Sequence, residues 1–211
     1  TSSTAQSYSS FFCDEVLTHL PNRNLFIVEV ASNDGTFLNR FKDKGHKVLG
    51  IDPAKNIVQI AIKKGIPTLV EFFDNKVAES IVLQHGKADC IFARNVIPHA
   101  DNIHGVISGM AQCIKDEGIA IIEFHYGGNI MSGLQYDSIY HEHLFYFSLQ
   151  SLQYLLKKHG LWAFDYNVSP ISGGSIALYC SKNKRPESSK LKKKLEMDEN
   201  SGLVLKKKWL E

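Results

Sequence analysis

The chain has 211 residues, 44% hydrophobic and 22% charged, with a formal net charge of +2. That is enough to bury a full core in one sizeable domain, or in one domain plus an appendage. The charge balance selects neither nucleic acid nor a membrane surface as partner, and no apolar run approaches the ~20 residues that span a bilayer.

Cys13, Cys90, Cys113 and Cys180 stand far apart without a C-x-x-C pair, and no basic-then-apolar leader is present. This usage fits a reducing compartment and predicts a cytoplasmic protein. The opening at Thr1 rather than methionine reads as a piece of something longer.

Residues 1–10 are polar and expected to be loose, anchored by Tyr8. Phe12, Val16, Leu17 and Leu20 set a helical spacing over 11–20 that Pro21 stops. Residues 25–30 read as a strand buried on both faces, which breaks at Ala31-Ser32-Asn33-Asp34-Gly35 into a helix begun by Phe37, Leu38 and Phe41. Strands are then predicted at 48–52, 66–70, 88–93 and 119–124. Helices are predicted from Pro53 to Gly65, over 74–84 and over 101–114. This alternation means an α/β fold with a mainly parallel sheet.

Residues 127–138 are Gly-rich and irregular, an insertion of the kind that carries function. A helix near 150–159 precedes strands at 161–168 and 175–181, which a turn-rich link joins into an antiparallel hairpin. Alternating β/α units closed by such a hairpin make the seven-stranded, Rossmann-like arrangement of class I S-adenosylmethionine (SAM)-dependent methyltransferases. That step is fold analogy, and function is left to the sites. The domain is expected over 1–182. Residues 183–211, with Lys192-Lys193-Lys194 and Lys206-Lys207-Lys208 around Leu191, Leu195, Leu203 and Leu205, read as a basic helical extension leading out of it.

The strand–turn–helix at 25–38 is the layout of a nucleotide-type site, where backbone N–H groups and a helix end meet the ligand. It lacks the G-x-G-x-x-G of dinucleotide folds and the G-K-[ST] of a P-loop, and Glu29 sits inside the strand end, a placement that suits SAM. Asp52 ends the second strand about twenty residues on, where an acid accepts both ribose hydroxyls; capping the following helix is the other reading. Phe72 and Phe73 are candidates to sandwich the adenine, or a pair of core aromatics. Asn95, at the end of the fourth strand, is placed to contact the methionine portion.

Tyr140-His141-Glu142-His143 is the densest chemistry in the chain. Its histidines lack the i, i+4 spacing of H-E-x-x-H and have no nearby Cys, so no metal is assigned. Acid–base work is favoured: a histidine backed by a carboxylate and a tyrosine hydroxyl removes a proton beside a carbonyl. A structural hydrogen-bond cluster pinning the insertion is the alternative. His99 follows the fourth strand and is a candidate for the same pocket, as are His125 and Tyr126 as lining.

Together these residues resemble the SAM-dependent sugar C-methyltransferases, which methylate a carbon of nucleotide-linked keto-deoxysugars. The resemblance rests on residues 28–35, 50–54, 65–68 with Phe72-Phe73, and 95–99, then on 139–148 and Ser172-Gly173-Gly174-Ser175. It implies that the turn Ser32-Asn33-Asp34-Gly35 holds SAM and that Asp52 takes its ribose; Glu29, Ala31 and Pro53 beside them are further candidates for cofactor binding. It implies His143 as general base, with Tyr140, Glu142 and His99 as its partners. The expected reaction is proton removal beside the ketone, then attack of the carbanion-like carbon on the SAM methyl. A non-catalytic SAM-binding module and an O- or N-methyltransferase acting on a small molecule are the alternatives.

Ala31 departs from the family's usual glycine, and Ile171-Ser172 stand where a histidine often precedes the two glycines. The family also carries an N-terminal zinc-binding region and a C-terminal α/β domain, so the chain reads as an excised core or a reduced member.

Overall fold

The computed structural model describes residues 2–171 and 173–202, and of Tyr136 the backbone alone. Ser172 of the glycine motif lies outside the described residues, as do Leu203, Leu205 and the Lys206-Lys207-Lys208 cluster.

Residues expected to be loose supply the first two turns of helix α1 (Ser3–Thr18). The Ser2 hydroxyl caps it, accepting from the Ala5 N–H at 3.3 Å. Its Ser, Thr and Gln residues mask an i, i+4, i+8 stripe of Tyr8, Phe12 and Val16, which is buried. Five parallel strands follow with intervening helices: β1 (Phe26–Val30), α2 (Thr36–Asp43), β2 (Lys47–Ile51), α3 (Lys55–Lys63), β3 (Thr68–Leu69), α4 (Asn75–His85), β4 (Ala88–Arg94), α5 (Ile103–Cys113) and β5 (Ile114–Phe124). Then come the short α6 (Gly127–Ser132), α7 (Leu149–Lys157), the hairpin β6 (Trp162–Val168) and β7 (Ile176–Ser181), and α8 (Ser189–Asn200).

The sheet order is β3-β2-β1-β4-β5-β7-β6, with β7 antiparallel to both of its neighbours. The chain runs outward from β1 to β3 and then crosses back to β4. The carboxyl ends of β1 and β4 therefore flank the topological switch point, where open α/β sheets take their ligands.

Two strands differ from the sequence-based prediction by three or more residues. β3 shrinks to two residues because it is an edge strand pairing only at Gly50↔Thr68 and Ile51↔Leu69. β5 begins at Ile114, because Ala88 pairs with Ile114 before a register shift brings Cys90 to Ile119. The charged residues 115–117 thus sit in an irregular strand start.

The core has two layers, one on each face of the sheet. Phe26, Val28 and Val30 of β1 face Ile81, Met110, Leu152 and Leu156 from α4, α5 and α7. Ile27 faces Phe12, Phe37, Phe41 and Ala61 from α1, α2 and α3. The helix expected to lead outward lies back on the domain: Leu191 of α8 is buried in the first of these layers, and Asp198 accepts the Tyr126 hydroxyl. All four cysteines are buried and free. Among the described residues no helix is long and apolar enough to cross a membrane.

Candidate functional site

The turn after β1 is built from backbone conformations that side chains resist. Ala31 has φ 53°, Asn33 φ 52° and Gly35 φ 74°. Left-handed backbone costs a non-glycine residue about 1–2 kcal/mol, so Ala31 holds strain that a glycine would not. The turn is tied to the next strand, with Ser32 N–H donating to Ile51 O at 3.0 Å. The two Asp52 carboxylate oxygens accept from the Asn33 and Ala54 N–H groups, each at 2.9 Å. One carboxylate thereby links the turn after β1 to the start of α3, which joins the capping reading of Asp52 to its site reading.

Above this turn lies a cavity of about 590 Å³, bordered by Ala31, Asn33, Asp52, Pro53, Phe72, Phe73, Asn95 and His99. Phe72 is 80% exposed at the rim, whereas Phe73 is 8% exposed and belongs to the core. The two rings therefore do not form an open sandwich.

Glu29, Ser32 and Gly35 do not border this cavity. Glu29 is buried beneath the turn, between β2 and β4. Its carboxyl is raised well above the ordinary carboxylate range, first by burial and against the opposing pull of Arg94. Ser32 is buried against Gly50, where an added Cβ would stand 2.9 Å from the Ser32 Cβ. Gly35 opens α2 facing Ile66, 3.0 Å from where its Cβ would be.

A second cavity of about 460 Å³ is bordered by Asn95, Pro98, His99, His125, Gln135, Ser138, Tyr140, His143 and Gly173. Asn95 and His99 border both cavities, so the two meet there. Asn95 also has φ 53°, tolerable for Asn, which turns the chain sharply at the end of β4.

His143 is held from both sides. Its Nδ1 lies 2.8 Å from the Ser138 carbonyl oxygen and its Nε2 lies 3.1 Å from the Tyr140 hydroxyl. A carbonyl only accepts, so Nδ1 carries the hydrogen and Nε2 keeps a lone pair toward Tyr140. His99 is set the same way, with Nδ1 2.9 Å from the Glu142 carbonyl oxygen. The His99 and His143 ring centroids are 4.7 Å apart.

The insertion thus brings together Tyr140, His143 and His99, but not the Glu142 carboxylate. Glu142 is exposed and contributes its backbone carbonyl to His99, while Ser138 takes the orienting position on His143 that had been expected of the acid. Which carbonyl faces a ring nitrogen depends on loop conformation, which residue types do not encode.

Sequence reasoning places Arg94 with Asn95 beside the switch point but gives it no role, and it passes over Glu123. They face each other across β4 and β5, with Arg94 Nε 3.2 Å from Glu123 Oε2. The available signal was a charge of opposite sign closing each of two apolar runs, 90–93 and 119–122.

Residues 6–163 match the family of methyltransferase domains. The C-methyltransferase NovU of Streptomyces niveus is 35% identical over 155 residues, which are 74% of this chain and 37% of that protein. The chain thus spans little more than a third of that relative's length. Magnesium protoporphyrin IX methyltransferase (ChlM) from Synechocystis PCC 6803, solved with bound SAM, has a TM-score of 0.63 at 13% identity, covering 84% of this chain and 79% of that one. A SAM-dependent methyltransferase from Archaeoglobus fulgidus has a TM-score of 0.65 at 11% identity, covering 83% and 93%. At these identities the structural likeness speaks for the fold.

Proposed function

The chain belongs to the methyltransferase-domain family, and we propose that it carries a methyl group from SAM to a substrate carbon beside a ketone, on a nucleotide-linked keto-deoxysugar. The observation that carries this reading is the junction of the two cavities at Asn95 and His99, with a histidine lone pair in the smaller one.

The larger cavity fits SAM by its donor set. After serving the Asn33 and Ala54 amides, each Asp52 oxygen keeps a lone pair, which suits two ribose hydroxyls. Phe72 at the rim offers a ring face to the adenine, and Asn95 borders the end toward the second cavity. When bound, SAM supplies an electrophilic methyl whose bonding electron pair leaves with the sulfur.

The smaller cavity supplies the nucleophile. His143 Nε2 takes the proton from the carbon beside the ketone, and the Ser138 carbonyl on Nδ1–H stabilises the resulting charge. The electron pair left on substrate is shared between that carbon and the ketone oxygen. Tyr140, released from Nε2 as substrate enters, donates its hydroxyl hydrogen to that oxygen. His99 donates from Nε2 only when doubly protonated, so Tyr140 is the neutral donor. The keto-sugar class follows the resemblance of the residue 139–148 run, and carbon as acceptor accords with the name of the Streptomyces relative.

Calorimetry with SAM, followed by turnover of a nucleotide-linked keto-deoxysugar in D2O, tests the reading. Wild-type protein should wash deuterium into the carbon beside the ketone, and His143→Gln should slow this at least about 100-fold. Methyl found on oxygen, or wash-in unchanged in the variant, would show the assignment to be wrong.

A further inference from the structure

Glu123 on β5 is fully buried, yet both of its oxygens are fully engaged. Oε2 accepts the Tyr8 hydroxyl at 3.0 Å and Arg94 Nε at 3.2 Å. Oε1 accepts the Ser169 hydroxyl at 3.2 Å and Asn95 Nδ2 at 3.4 Å. Four donors match the capacity of an ionised carboxylate, which accepts and never donates. The Glu123 backbone oxygen also accepts the Asn95 N–H, at 2.8 Å.

Asn95 is therefore gripped twice by one residue. Because Glu123 can only accept, the amide nitrogen must be the end turned toward β5. The oxygen, Oδ1, is then the end left for the partition between the two cavities. Among the described residues no hydrogen bond is made to it.

Resting on the reading that SAM fills the larger cavity, we propose that Glu123 is a positioning residue for cofactor recognition. It fixes the direction of the Asn95 amide so that Oδ1, an acceptor, meets the ammonium of the SAM amino-acid arm. A reversed amide would present a donor to that cation. Glu123 itself stays behind the wall, held by Tyr8 from α1 and Ser169 from the hairpin link. The first helix and the β6–β7 link thereby act on a ligand neither of them touches.

The test compares two ligands that differ in the arm. S-adenosylhomocysteine carries the ammonium, and 5′-methylthioadenosine keeps adenine, ribose and sulfur without it. By calorimetry, Glu123→Gln should weaken S-adenosylhomocysteine about tenfold or more while leaving 5′-methylthioadenosine within about twofold. Equal losses for both ligands, or none for either, would overturn the proposal, since a merely loosened sheet does not distinguish them. Adding Glu123→Gln to Asn95→Ala should cause no further loss, and additive losses would count against the coupling. If the Glu123 variant does not fold, side-chain amide exchange in the wild-type protein decides. Slow exchange of the Asn95 Nδ2 protons supports the grip, and exchange as fast as in an exposed asparagine overturns it. Wild-type protein that binds neither ligand overturns the cofactor reading and this inference with it, a failure told apart because it appears before any substitution.

Discussion

Replacing Glu29 by glutamine should flatten the pH dependence of stability above the ordinary carboxylate range. Glu29 is 2% exposed, its Oε2 has no hydrogen-bond partner among the described residues, and Arg94 Nη1 stands 3.8 Å from Oε1, beyond hydrogen-bond reach. Desolvation is the largest influence and raises the carboxyl well above its usual range, with Arg94 opposing. The unfolded chain releases this proton near pH ~4.3, while the folded protein keeps it to higher pH. Between those two values the native state binds the extra proton, so stability falls as pH rises, by up to about 1.4 kcal/mol per pH unit. Glutamine keeps the shape and carries no titrating proton. Urea unfolding of both proteins, followed by circular dichroism at about pH 5, 6 and 7, should show the variant gaining on the wild type at each step, by up to that slope. A difference that is constant across the three pH values would refute the assignment of a neutral, buried carboxyl. The same pair of proteins titrated with SAM asks whether Glu29 reaches the cofactor, since an acid confined beneath the turn predicts little change in affinity.

Gly50→Ala should destabilise by about 2 kcal/mol and weaken SAM binding together, because the new Cβ must displace Ser32 and with it the turn; unchanged affinity at lowered stability would separate the two. Leu191→Ala should cost about 3 kcal/mol in denaturant unfolding if α8 is an integral part of the first core layer. A loss under about 0.5 kcal/mol would return α8 to the status of an outgoing extension.

Much of the fold was legible because buried parallel strands write themselves as apolar runs, and β1, β4 and β5 are such runs punctuated by turn residues. The first half of α1 was not, because its burial stripe is carried there by Tyr8 amid serines. β3 was over-read because an isolated edge strand has one neighbour to stop it. In the candidate site, residue types pointed to one neighbourhood: Asp52, Asn95, His99, Tyr140 and His143 each border one or both of the two adjoining cavities. What residue types do not carry is which atom does the work. Ser138 and Glu142 act through backbone carbonyls, and the Glu142 carboxylate, the natural guess beside a histidine, faces solvent. The pairing of Arg94 with Glu123 escaped because it exists only once β4 and β5 are in register.

The partition formed by Asn95 and His99 has a thermodynamic consequence. If each cavity takes its proposed ligand, any shift one ligand imposes on these shared side chains is a work term in the binding of the other. By linkage, the factor by which substrate alters cofactor affinity equals the factor by which cofactor alters substrate affinity. Reciprocity of this kind makes the wall itself a measurable quantity. On the proposed reading, a single coupling constant, obtained from either direction, reports how strongly methyl donor and acceptor feel one another through these two residues.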